Sequence, residues 1–95
     1  MPAYFIVDNE VTDNAGFEEY RKQVRVTVEK YGGKFLVRGG QVHTLEGDWK
    51  PKRIVVTEFP NTEQARRWYD SEEYRVLKLL RLRTARGSVV LVEGV

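Results

Sequence analysis

The sequence predicts a ferredoxin-like α+β sandwich, a four-stranded antiparallel sheet with its helices on one face. Two observations carry that prediction. Four short runs, at residues 3–11, 34–37, 53–59 and 88–93, are dense in β-branched and aromatic side chains. Between them lie stretches whose apolar residues recur at helical spacing, so that the order reads strand, helix, strand, strand, helix pair, strand. Helical crossovers between strands that are not neighbours make this a βαββαβ domain.

The first strand, Ala3 to Val11, stops at the turn-prone Thr12-Asp13-Asn14, and Asp13 is placed to cap a helix beginning there. Phe17, Tyr20, Val24, Val28 and Tyr31, with charged residues between them, make residues 14–31 an amphipathic helix. Gly32-Gly33 ends it. Lys34 to Val37 is the second strand, and Gly39-Gly40 marks a bend or bulge after which Gln41 to Leu45 is expected to continue or pair again. A turn through Gly47-Asp48-Trp49-Lys50-Pro51 leads to Arg53 to Phe59, whose Ile54, Val55, Val56 and Thr57 read as a central strand buried on both faces. Asn61 with Gln64 resembles a capping box for a helix through Ala65, Trp68 and Tyr69. Asp70-Ser71 breaks and restarts the helix, with Glu72 and Glu73 suited to its first turn. Val76, Leu77 and Leu80 are its expected apolar face, and Arg75, Lys78 and Arg81 a solvated face in preference to a nucleic-acid or anion-binding stripe. Gly87 leads into the last strand, Ser88 to Glu93.

At 95 residues and 41% hydrophobic content, with no Pro- or Gly-rich tract, the chain fits one domain over residues 1–95. It has no cysteine and a single histidine, which excludes disulfide frameworks, thiolate nucleophiles and Cys-based zinc sites; neither metal nor cofactor is expected. No run approaches the roughly 20 apolar residues of a membrane span, and the first residues lack a basic segment followed by a long apolar one. The expectation is a cytoplasmic protein with no membrane partner.

The strands are apolar on both sides. Phe5 and Val7 alternate with Tyr4 and Ile6, Val55 and Phe59 with Ile54 and Val56, and Val89 and Leu91 with Val90 and Val92. Helices cover only one face, so a second copy's sheet is the simplest cover for the other, and a homodimer is expected.

Five segments at matching spacing carry a family likeness: the run from Tyr31 to Gly40, Leu45 to Pro51, Val55 to Pro60, Ala65 to Tyr74, and Leu91 to Gly94. Over essentially its whole length the chain closely resembles the bacterial family known as domain of unknown function 1330. The resemblance implies membership of the dimeric α+β barrel superfamily and names no activity. That superfamily includes cofactor-independent monooxygenases, haem-degrading enzymes, lactone isomerases and stress-response proteins, and fold kinship does not select among them. Relatives of this kind often hold a ligand between the sheet and the helices of each subunit.

For the site itself, alternation puts Tyr4, Ile6, Asp8 and Glu10 on one face of the first strand and Lys34, Leu36 and Arg38 on one face of the second. With the third strand between them, Asp8 and Arg38 are expected near one rim, as an ion pair or as ligands for a polar molecule. Glu58 is a candidate for proton transfer if it turns inward near Tyr4, and a partner for Lys34 if it does not. His43 is the second catalytic candidate, being the one side chain that ordinarily titrates near neutrality. Trp68, Tyr69 and Tyr74 concentrate aromatic surface where the helices close the cleft, as core or as a wall for a flat apolar ligand. Trp49 is expected to pack on a partner subunit.

Three functions of different kinds fit these residues. One is a small-molecule enzyme, oxygenase- or isomerase-like; another is a tautomerase using Pro2 as base once Met1 is removed, which requires the first two strands side by side. The third is a non-catalytic ligand-binding, stress-related or regulatory module. RNA binding is disfavoured, because the third strand lacks the glycine and the placed aromatics of an RNA-recognition motif.

Overall fold

The computed structural model covers residues 1–95 and contains β1 (Ala3–Val11), α1 (Asn14–Lys30), β2 (Lys34–Arg38), β3 (Ile54–Phe59), α2 (Thr62–Tyr69), α3 (Glu72–Thr84) and β4 (Ala85–Glu93). The sheet order is β2-β3-β1-β4, with each neighbouring pair antiparallel. β1 and β2 therefore run parallel on either side of β3, giving the expected ferredoxin-like domain. The same order overturns the tautomerase reading, which needs β1 and β2 hydrogen-bonded to each other.

Helix starts follow the capping residues. Asp13 Oδ1 accepts from Gly16 N at 3.2 Å, Asn61 Oδ1 from Gln64 N at 2.8 Å and Ser71 Oγ from Tyr74 N at 3.1 Å. The capping box at Asn61 is only half formed, because the Gln64 side chain reaches instead to the carbonyl of Tyr31 at 3.2 Å. All three helices lie on the sheet face that presents Ala3, Phe5, Val55 and Phe59, and bury Phe17, Val28, Trp68 and Leu77 against it. At about 1.5–3 kcal/mol for each large apolar side chain, this layer is the main source of stability.

Four expectations require correction. Residues 39–53 contain no strand, so Gln41 to Leu45 does not pair again. β4 begins at Ala85, directly after α3, and Gly87 lies within it; a Cβ there would stand 1.8 Å from the carbonyl oxygen of Asp8 on the neighbouring strand. A bulge between Phe35 and Val37 puts Lys34 and Arg38 on opposite faces of β2, where uninterrupted alternation would put them on one. Finally, α3 is rotated from the expected phase. Tyr74, Leu77, Arg81 and Thr84 are buried, while Val76 and Leu79 face outward.

The uncovered sheet face carries Ile6 and Val56, half-buried, with Val90 54% and Val92 45% exposed beside them. No helix is long and apolar enough to cross a membrane.

A candidate ligand cavity between helices and sheet

Strand alternation turns Phe5, Val7 and Asn9 of β1 toward the helices, and Val55 and Thr57 of β3 beside them. Arg53, just ahead of β3, keeps the inward phase because its carbonyl accepts from Asn9 N at 2.9 Å. The β2 bulge brings Arg38 inward next to Phe35, with its guanidinium 4.3 Å from that ring and Nη2 donating to the carbonyl of Arg21 at 2.7 Å. From above, α1 contributes Tyr20, and α2 and α3 contribute Trp68, Tyr69, Tyr74 and Arg81.

These residues enclose a cavity of about 40 Å³, room for a few water molecules at about 10–15 Å³ each. A shallower groove of about 290 Å³ lies beside it, bounded by Arg66, Asp70 and Leu91. Phe5, Tyr69 and Val89 line both, so the Tyr69 ring forms part of the wall between them. The apolar end of the cavity is an aromatic stack. Phe5 lies 5.6 Å from Tyr69, nearly parallel, and 5.3 Å from Trp68, edge-on; Trp68 lies 4.0 Å from Tyr74. Lys78 caps the outer side of Tyr69, 4.3 Å from its ring.

The polar end is built on a hydroxyl pair. Tyr20 Oη and Tyr74 Oη are 2.9 Å apart, and Arg81 Nε donates to Tyr74 Oη at 3.2 Å. Burial first, and then Tyr74, push the Tyr20 phenol well above its ordinary value, so it stays protonated. Burial alone lowers Arg81, but Tyr74 and Tyr20 outweigh it and the net shift is upward, leaving the guanidinium charged. Asn9 Oδ1 is buried without a hydrogen-bond partner.

Of the residues expected at the site from sequence, the structure brings Arg38, Trp68, Tyr69 and Tyr74 to this cavity. The other three lie elsewhere. Asp8 is at the same end of the sheet as Arg38 but on the opposite face, where it accepts from Trp49 Nε1 at 3.1 Å and Lys52 N at 3.0 Å. Glu58 also points to that outer face, 3.4 Å from Lys34 Nζ, and its hydrogen bond to Tyr4 is the first cause of a raised Tyr4 phenol. His43 is exposed in the segment between β2 and β3. Trp49 is 62% exposed within the chain; its indole donates to Asp8 and its carbonyl accepts from Thr44 Oγ1 at 3.0 Å. Sequence reasoning missed Asn9, Tyr20, Arg53 and Arg81. Asn9 left one readable signal, a polar residue in the inward phase of an otherwise apolar strand.

A four-stranded antiparallel sheet covered on one face by helices defines a ferredoxin-like α+β domain. The chain belongs to the family described as Domain of unknown function (DUF1330), whose model matches residues 2–95. No curated protein matches it. Among solved structures it is similar to a protein of unknown function from Rhodopseudomonas palustris, at 15% identity and TM-score 0.79 over 99% of this chain and 82% of that one. It is similar to SnoaB, a cofactor-independent oxygenase from Streptomyces nogalater, at 13% identity and TM-score 0.64 over 99% and 93%. A dimeric protein of unknown function from Bacteroides fragilis with a ferredoxin-like fold matches at 12% identity and TM-score 0.57, over 98% and 96%. At such identities the likeness is one of fold.

Proposed function

We propose that the chain binds a small flat organic molecule between its helices and its sheet, as a cytoplasmic homodimer joined through the uncovered sheet face. One observation carries the binding reading: an aromatic-walled cavity adjoins a larger groove through the shared residues Phe5, Tyr69 and Val89. Ligand pockets ordinarily measure about 300–1,000 Å³. The cavity reaches that range only when joined to the groove, so ligand entry displaces Tyr69.

The cavity lining contains no carboxylate and no imidazole; the one carboxylate of the adjoining groove is Asp70. An oxygenase- or isomerase-like reaction here has hydrogen-bond donors for a developing oxyanion and no base to create one, so it requires a substrate that ionises by itself. This favours a binding module over a catalyst that abstracts protons.

The chain has two tryptophans, and Trp49→Phe leaves Trp68 as the only reporter. In that protein the neutral quencher 4-nitrobenzamide is expected to quench Trp68 fluorescence saturably, and Val89→Phe, which fills the junction of cavity and groove, to make the quenching linear. Linear quenching without Val89→Phe rejects the pocket.

The homodimer is supported by Val90 and Val92, exposed on the outer face, and by the dimeric Bacteroides fragilis neighbour. Burying two such valines is worth about 1.5–3 kcal/mol each. Val90→Lys is accordingly expected to convert a dimer to a monomer in light scattering at micromolar concentration. A wild-type monomer at that concentration defeats the sheet-to-sheet assembly.

A further inference from the structure

We infer that the ligand of this cavity is an organic oxyanion, a flat molecule bearing a carboxylate-type group, held at the polar end by Arg38, Arg53 and Arg81. The inference rests on the pocket proposed above and adds the chemical class of its occupant.

Charge is the first ground. Four guanidinium groups border the cavity, and three of them, Arg38, Arg53 and Arg81, have no carboxylate partner, Arg21 alone being paired, with Glu18. The chain has 14 acidic residues and places none in the cavity lining, Asp70 lying in the groove beside it. The acid that acts on Arg38 and Arg53 is Glu18, and its carboxylate is engaged by Arg21 at 3.1 Å. What the three arginines do have is incomplete. Arg38 donates to one carbonyl, Arg53 lies 5.2 Å from the Phe17 ring and Arg81 donates to one phenol. Burial without a counter-charge is costly, and a bound anion removes that cost. Burial first, then repulsion from Arg21, lowers both Arg38 and Arg53 from their ordinary values, and the same anion offsets both effects.

Hydrogen-bond accounting is the second, independent ground. Tyr20 and Tyr74 share one bond, which uses one of their two hydroxyl hydrogens and leaves the other without a protein acceptor. The polar end is thus rich in donors. Its single orphan acceptor is Asn9 Oδ1, which adds a demand for one hydroxyl or N–H on the ligand next to the anionic group. The backbone makes room for this arrangement: Gly39, at φ +76°, passes where a Cβ would stand 2.9 Å from Arg53 Nε.

The test compares 4-nitrobenzoate with its neutral isostere 4-nitrobenzamide by Trp68 quenching in the Trp49→Phe protein, with and without Arg38→Gln or Arg53→Gln. Both arginines are half-buried at the cavity's margin, so these variants keep the fold, as thermal melting will verify. The benzoate is expected to bind on the order of tenfold to a hundredfold more tightly than the amide. Each Gln variant should shrink that preference toward unity and leave amide affinity unchanged. Equal affinities in the parent protein overturn the oxyanion and leave the pocket standing. Binding of neither compound overturns the pocket as well, and a preference that survives both Gln variants overturns the arginine assignment.

Discussion

Phe59→Ala is expected to destabilise the domain by about 3–5 kcal/mol, a large part of the roughly 5–15 kcal/mol that holds a domain folded, and to lower Tm by roughly 15 °C or more. Phe59 has no exposed surface and packs edge-on to Phe5 at 5.9 Å and against Trp68 at 5.4 Å. Its ring also rests on Gly33, where a Cβ would lie 2.6 Å from the ring and 2.8 Å from Val28. That contact makes a second, sharper expectation. Gly33→Ala alone overpacks the site and costs about 1–3 kcal/mol, but in the Phe59→Ala background its methyl enters the space the ring has left. The double variant should therefore be more stable than the sum of the singles by about 0.5–3 kcal/mol in urea denaturation. Strict additivity would mean that the ring and the glycine do not share one packing site.

The fold is legible in the sequence where local physics decides it. Asp13, Asn61 and Ser71 each cap the helix expected of them, and the alternation in β1 and β3 sorts inward from outward side chains correctly. What the sequence hides depends on partners distant in the chain. The bulge at Leu36 is a mismatch of two strands, written in neither of them, and it reverses the direction of Arg38. The phase of α3 is hidden because Arg81 looks like a member of a solvated stripe with Arg75 and Lys78. Only a hydroxyl pair linking Tyr74 to Tyr20, 54 residues away, gives that guanidinium a buried place. The candidate site divides along the same line. Its aromatic wall of Trp68, Tyr69 and Tyr74 is readable from helical spacing, whereas Arg53 and Arg81 are charged residues whose inward direction only the assembled layers reveal. Asp8, Glu58 and His43 stand out through the chemistry of their side chains, which says nothing of which face of the sheet they occupy.

Arg81→Met is expected to raise stability and weaken ligand binding together. Arg81 is 7% exposed and has a phenol, not a carboxylate, for its partner. Removing a buried charge in favour of an apolar side chain of similar length is often neutral or stabilising by about 1–4 kcal/mol, and methionine adapts to an irregular site. The Tyr74 hydroxyl keeps its bond to Tyr20, so the substitution leaves no tyrosine stranded. A domain of this size gains about 4–8 °C in Tm per kcal/mol, which makes the effect easy to read in a melting curve. The same variant loses one of the three guanidinium groups that border the cavity without a carboxylate partner and should lose about tenfold or more of its preference for 4-nitrobenzoate over the amide. A purely structural arginine behaves in the opposite way: its removal lowers Tm and leaves the preference intact. Stability gained where binding is lost marks a residue kept for its ligand at the expense of the fold.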